Sequence, residues 1–214
     1  MIVAITSENS GIEKTLIAEG LSARRAAEGT GVLLIDGDVH GTASKRAQER
    51  RRLQVNFPFT FRSVGGKGLA PELEYLSSKY RDIIIESESR DCLASRSALI
   101  AAQVAIVQVD PTHSDTQKQE ALIDRIFSAR LFNPRLRIIV AVTSDVEDLA
   151  PDALRNAERF ARKIVAAKLS RQVISIINRS TQSAKNVWGL AAADLSQASY
   201  KLDVACLYQE TFQK

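Results

Sequence analysis

At 214 residues, 45% of them hydrophobic, the chain can build one large core but not two comfortable ones, so a single domain spanning 1–214 is expected. A formal net charge of +4 with pI ≈ 9.2 suits a polyanionic partner and equally an ordinary protein. Cys92 and Cys206 are the only cysteines, far apart and without metal-ligand spacing, which argues against a disulfide framework or a zinc site and for a reducing cytoplasm. The opening MIVAITSENSG has no basic n-region and too short an apolar run for a signal peptide, and no stretch reaches membrane-spanning length. Neither export nor membrane insertion is expected.

Short β-branched apolar runs recur at 2–5, 32–35, 83–85, 104–109, 138–142 and 173–177, each reading as a strand buried on both faces. Between them, 16–28, 42–52, 114–129, 151–167 and 195–212 carry helical spacing. Alternation of this kind predicts an α/β fold: a mostly parallel twisted sheet with helices on both faces. Gly- and Pro-bearing stretches such as SVGGKG at 63–68 read as loops, and neither repeats nor low-complexity tracts interrupt the pattern.

Ligands of such a sheet sit at the carboxyl ends of its strands, so the residues just after each apolar run matter most. The first run ends in SENSGIEKT. A strand, a short loop and Lys-Thr at a helix start form the setting of a phosphate loop, with backbone amides of Gly11, Ile12 and Glu13 facing phosphates, Lys14 pairing with them and Thr15 holding Mg²⁺. A helix start whose Lys and Thr merely face solvent has the same letters. The second run ends in LLIDGDVHGTAS, placing Asp36 near the metal shell and Asp38 where it orients attacking water; the alternative is a pair of turn-forming aspartates. At the third, YRDIIIESES sets Glu86 at a buried strand tip, where a carboxylate supports Mg²⁺ through water, or caps a helix.

With these segments in this order, the sequence resembles the ParA/MinD family of deviant Walker A ATPases, which partition plasmids, chromosomes and other cargo. The likeness covers nearly the whole chain: the loop Asn9 to Thr15, LLIDGDVHGTAS, GGKGLAPELEYLSSKYRDIIIE, AAQVAIVQVDPTHSD and NPRLRIIVAV. The resemblance implies a P-loop NTPase fold binding ATP and Mg²⁺, a nucleotide sandwich homodimer, nonspecific binding to double-stranded DNA, and slow hydrolysis stimulated by a centromere-binding or other adaptor protein. It implies Lys14 and Asp38 as catalytic groups.

The family loop reads KGGxGKT, and here the corresponding residues are Asn9, Ser10, Gly11, Ile12, Glu13, Lys14 and Thr15. The signature lysine that reaches the partner's nucleotide is Asn9, which removes a cation from the transition state. The last loop glycine is Glu13, placing a Cβ and a negative charge where the backbone approaches a polyanion. At ~5 Å and an effective dielectric of ~20, such a contact costs up to roughly 3 kcal/mol, over a hundredfold in affinity. Thr143 and Ser144 stand where the family has an Asn-Arg or Asn-Lys pair that helps recognise adenine, and Glu86 replaces the Walker B aspartate. Weak or absent ATP binding follows, with ATPase activity weak or lost.

Basic residues crowd Lys45 to Arg52 and Arg155 to Arg171; Arg155, Arg159 and Arg162 repeat at helical spacing and form a stripe that tracks a DNA backbone or a solvated face. Aromatics do not interleave with them, which disfavours single-strand stacking. The last helix, with Leu195, Ala198, Leu202, Ala205 and Phe212 on one stripe, reads as core packing rather than a membrane-surface helix, so no membrane partner is expected. His40, His113 and Trp188 read as turn and packing residues. Two readings result: a ParA-like partition or positioning ATPase, or a nonhydrolysing adaptor that binds DNA or a partner protein on a plasmid or mobile element.

Overall fold

In a computed structural model of the chain, the described residues are 1–38, 43–44, 48, 57–113, 115–144, 149–176 and 198–213, without the side chains of 198–203. The expected strand 173–177 and helix 195–212 lie partly outside them. His40, Trp188, most of 42–52 and its basic residues lie wholly outside.

The apolar runs become strands because both their faces are covered. Among the described residues these are β1 (Ile2–Ser7), β2 (Val32–Asp36), β3 (Thr60–Ser63), β4 (Asp82–Glu86), β5 (Val104–Val109), β6 (Arg137–Ser144), β7 (Ala167–Leu169) and β8 (Ile174–Ser175). They form a parallel sheet in the order β3-β2-β4-β1-β5-β6-β7, with β8 paired to the far end of β6. Helices α1 (Ile12–Ala27), α2 (Leu69–Ser77), α3 (Leu93–Ala101), α4 (Thr116–Phe132), α5 (Pro151–Lys163) and α6 (Ala198–Phe212) cover it on both sides, with a 3₁₀ turn at Gly66–Gly68.

Strand alternation sorts the core into two layers. Ala4, Leu33, Ile35, Ile83, Ile85 and Val107 face α2 to α5, whereas Val3, Ile5, Leu34, Ile84 and Ile106 face α1 and α6. The last helix does pack inward, but through Val204, Leu207, Tyr208 and Thr211, one position off the stripe read from the sequence. Arg24 and Arg25 of α1 lie over the rings of Tyr208 and Phe212, at 5.1 and 5.0 Å from the centroids, which closes that side of the layer.

Two boundaries differ from the sequence reading. Helix α1 begins at Ile12, so Lys14 and Thr15 belong to its first turn. Helix α5 stops at Lys163, where Ile164 turns extended and buries itself; Ala166 then takes φ 55, and Ala167 opens β7. No helix of the described residues is long and apolar enough to cross a membrane.

Candidate functional site

Parallel register brings the expected groups together at the carboxyl ends of β1, β2 and β4. Asp36 and Glu86 are register partners on β2 and β4, and Ile5 of β1 is level with Glu86 on its other side. Beyond Asp36 the chain turns back at Gly37, whose N–H donates to the Glu86 carbonyl at 2.9 Å. A Cβ at Gly37 would lie 3.1 Å from that oxygen, so glycine permits the approach.

Five polar side chains form a closed network there. Lys14, Thr15, Asp36, Asp38 and Glu86 are all at most 7% exposed. Lys14 Nζ donates to the Ser87 carbonyl at 3.0 Å and to Ser89 Oγ at 2.7 Å, and lies 3.6 Å from Asp38 Oδ2. Thr15 Oγ1 donates to Glu86 Oε1 at 2.7 Å. Asp36 accepts from the Ser44 N–H and hydroxyl at 2.8 and 2.5 Å, and from the Asp38 N–H at 3.1 Å. Burial lowers the Lys14 pKa, against the pull of Glu86 and Asp38. Burial pushes the Glu86 carboxyl up to about 7, against the Thr15 hydrogen bond and Lys14.

Sequence reasoning missed the partners beneath this network. Ser89 Oγ donates to the Asn9 carbonyl at 2.8 Å, locking the β4–α3 loop onto the phosphate loop. Arg125, buried in the middle of α4, donates to the Ser89 carbonyl at 2.8 Å and to Thr6 Oγ1 at 3.0 Å, holding the same loop from below. Ser87 and Ser89 directly follow Glu86 in ESES and were legible as strand-tip polar residues. Nothing distinguishes Arg125 in sequence from the exposed arginines of other helices.

The loop itself departs from an open cradle. Gly11, in an extended conformation, caps α1. The Glu13 carboxylate folds back against Gly11, where any Cβ would run into it. Asn9 bonds within its own chain: its Oδ1 accepts from Lys118 Nζ at 2.9 Å and its Nδ2 donates to the His113 carbonyl at 3.3 Å. A cavity of about 650 Å³ opens beside the loop. Glu8, Glu13, Glu88 and Asp110 line it against Arg90 and Lys118, whereas Lys14, Thr15, Asp36, Asp38 and Glu86 do not reach it. Thr143 turns inward, accepting from Gln108 Nε2 at 2.8 Å and donating to the Val109 carbonyl at 3.3 Å. His113 is a turn residue, its Nδ1 3.0 Å from Asp110 Oδ2.

Thr15, Asp36 and Glu86 offer the oxygen donors that Mg²⁺ prefers, and Glu86 Oε2 is buried without a hydrogen-bond partner, as an oxygen awaiting a metal-bound water would be. Among the described residues no group of three or more His, Cys, Asp or Glu side chains could hold a metal ion. Away from this site, Arg155, Arg159 and Arg162 lie exposed on α5. Arg155 pairs with Asp152, Arg162 lies 3.8 Å from Glu158, and Arg159 donates to the Asn156 amide oxygen at 3.3 Å.

A parallel sheet of this order, with a strand–loop–Lys-Thr turn beside two strand-tip carboxylates, is the fold of ParA/MinD-type P-loop ATPases. Many solved structures share this fold, among them these three of this type. Apo McdA from Cyanthece matches with a TM-score of 0.70 at 14% identity over 98% of each chain. The MinD cell division protein of Aquifex aeolicus gives 0.68 at 14% identity, over 100% of this chain and 98% of that one. A plasmid partition protein from Borrelia burgdorferi B31, bound to AMPPNP, gives 0.66 at 16% identity over 98% of each chain. No family model and no curated protein matches the sequence.

Proposed function

We propose that the chain is a ParA-like partition or positioning protein that binds ATP and Mg²⁺ weakly or not at all and contacts double-stranded DNA without sequence preference. The observation that carries this reading is the closed phosphate-loop network: Lys14 is wholly buried and engaged by Asp38, Ser87 and Ser89, while the Glu13 carboxylate lies on Gly11. A triphosphate would have to displace these contacts and meet an acidic cavity wall. Where nucleotide does enter, Lys14 grips its phosphates, Thr15 and Asp36 set the Mg²⁺ shell, Glu86 supports it and Asp38 orients water. The AMPPNP-bound partition protein supports nucleotide as the ligand of the fold. Its DNA contact falls to the Arg155, Arg159 and Arg162 stripe, and its cargo partner is a centromere-binding or other adaptor protein.

A second reading, the nonhydrolysing adaptor, is favoured by Asn9. Its side chain bonds to Lys118 and His113 of its own chain and supplies no cation to a partner's nucleotide. Calorimetry with MgATP on the parent and on Glu13→Gly tests whether the loop is closed to phosphate or only weakened. The parent is expected to show weak or no binding and Glu13→Gly a gain of up to about a hundredfold. Tight binding by the parent, abolished in Lys14→Ala, would overturn the reading of a weakened loop.

A further inference from the structure

Arg125 is a buried charge that packing alone does not explain. It stands in the middle of α4, 3% exposed, on the face whose other residues, Leu122, Ile126 and Ala129, belong to the apolar core. Glu88 and Asp91, whose charges it senses, pair with Arg90 and Arg96 instead, and its Nε is buried without a hydrogen-bond partner. Burial disfavours the guanidinium and lowers its pKa. A methionine or leucine would fill the same position without an uncompensated charge. What the guanidinium holds is specific. Its fork donates to the Ser89 carbonyl at 2.8 Å and to Thr6 Oγ1 at 3.0 Å, so it spans the β4–α3 loop and the end of β1. Ser89 is also the residue whose hydroxyl accepts from Lys14 Nζ at 2.7 Å and donates to the Asn9 carbonyl at 2.8 Å. The first turn of α4 reaches the phosphate loop a second time: Lys118 Nζ donates to Asn9 Oδ1, and the N–H of the N-cap Asp115 donates to Glu8 Oε2 at 3.3 Å. One helix therefore holds Thr6, Glu8, Asn9 and Ser89.

We propose that Arg125 is a positioning residue: by fixing Ser89 it keeps Lys14 drawn onto the β4–α3 loop, and so sets how readily the phosphate loop opens to an anion. This rests on the reading of a phosphate loop closed by its own contacts and names what keeps it closed. Lys14 has two acceptors on the β4–α3 loop, the Ser87 carbonyl and the Ser89 hydroxyl, and an ammonium that turns to a phosphate must leave or share them. A loop pinned by a guanidinium cannot follow the lysine outward; a loop released from it can. The sign of the effect separates this role from plain electrostatics. Removing a cation near the site weakens anion binding through lost attraction, whereas removing a latch strengthens it.

Calorimetry with magnesium tripolyphosphate on the full chain tests the assignment in the parent, Arg125→Met, Ser89→Ala, the double variant and Glu13→Gly. Arg125→Met and Ser89→Ala are each expected to bind about tenfold more tightly than the parent, the scale of one hydrogen bond to a charged group. The double variant should bind no more tightly than the better single one, because both changes undo one latch. Amide hydrogen exchange in Arg125→Met should quicken across residues 87–91 and stay as in the parent within α4, a pattern that general loosening of the core would not give. Ser89→Ala leaves the buried guanidinium in place, so it carries the test even where Arg125→Met fails to fold. If Glu13→Gly gains affinity while Ser89→Ala and Arg125→Met bind no better than the parent, the latch is overturned and the weakened-loop reading stands. If the parent already binds tightly, that reading falls, and tenfold gains in the two variants still support the latch.

Discussion

Lys14 Nζ and Asp38 Oδ2 lie 3.6 Å apart with side chains only 1% and 3% exposed, an ion pair shut inside the tip of the sheet. Removing one partner of a buried pair leaves the other charge without compensation, at a cost of about 3–5 kcal/mol, while removing both is far milder. Asp38→Ala should therefore destabilise the fold by roughly 3 kcal/mol, and Lys14→Met with Asp38→Ala by clearly less than the sum of the single changes. Urea denaturation of the four proteins measures this. Strict additivity would mean that the two charges do not sense each other.

Glu86 makes stability depend on pH. Its carboxyl titrates near 7 when folded against 4.5 ordinarily, so between these values the folded state keeps a proton that the unfolded chain releases. Stability from this group is thus full below about 4.5, falls as pH rises toward 7 and is flat above, a loss of about 3 kcal/mol in all. Glu86→Gln keeps an acceptor for Thr15 and cannot titrate. Its melting temperature should lose that slope and exceed the parent's at pH 8; parallel curves for the two proteins would exclude Glu86 as the source.

Because Asn9 is held by Lys118 and His113 in its own chain, no cation at this position couples two subunits through a γ-phosphate. Sedimentation velocity should give the same oligomeric state with and without MgATP. An ATP-dependent shift from monomer to dimer would contradict this expectation and restore the partition-ATPase cycle.

The main strands were legible because burial on both faces writes itself as unbroken apolar runs, as in DIIIE and VAIVQV. Strand β3 escaped because the edge sequence TFRS has mostly exposed residues, and β7 because Ala167 to Leu169 continues the helical spacing of α5 until Ala166 breaks it. Helix α3 was missed: it is short, and the face it buries is made of small residues, Ala94, Ser95 and Ala98, beside Leu99. At the site, the order of strand tips was enough to bring Lys14, Thr15, Asp36, Asp38 and Glu86 into one neighbourhood. Their mutual engagement was not readable, since it depends on Ser87, Ser89 and Arg125, whose contacts span distant stretches of chain. Nor does the letter Glu at position 13 say which way its carboxylate turns.

The arginine stripe on α5 yields a sharper expectation once its neighbours are known. Three independent phosphate contacts would contribute about 2.7 to the salt slope of DNA binding, at ~0.9 each. Asp152 and Glu158 lie against Arg155 and Arg162, so a phosphate must compete with a carboxylate at two of the three positions, and among the described residues Arg159 is the side chain of the three without an acidic partner. Arg159→Ala alone should then weaken binding more than either neighbour's substitution, uniformly across DNA sequences. Asp152→Asn with Glu158→Gln should strengthen binding and steepen the slope by up to about two units, because it releases both arginines to the backbone. Folding should barely change, as exposed pairs of this kind contribute about 0–1 kcal/mol. Fluorescence anisotropy on duplex DNA over a salt series, without nucleotide, reads all of these quantities. If the neutralised pair binds no better than the parent and Arg159→Ala binds no worse, α5 is a solvated face and DNA contact lies elsewhere on the chain.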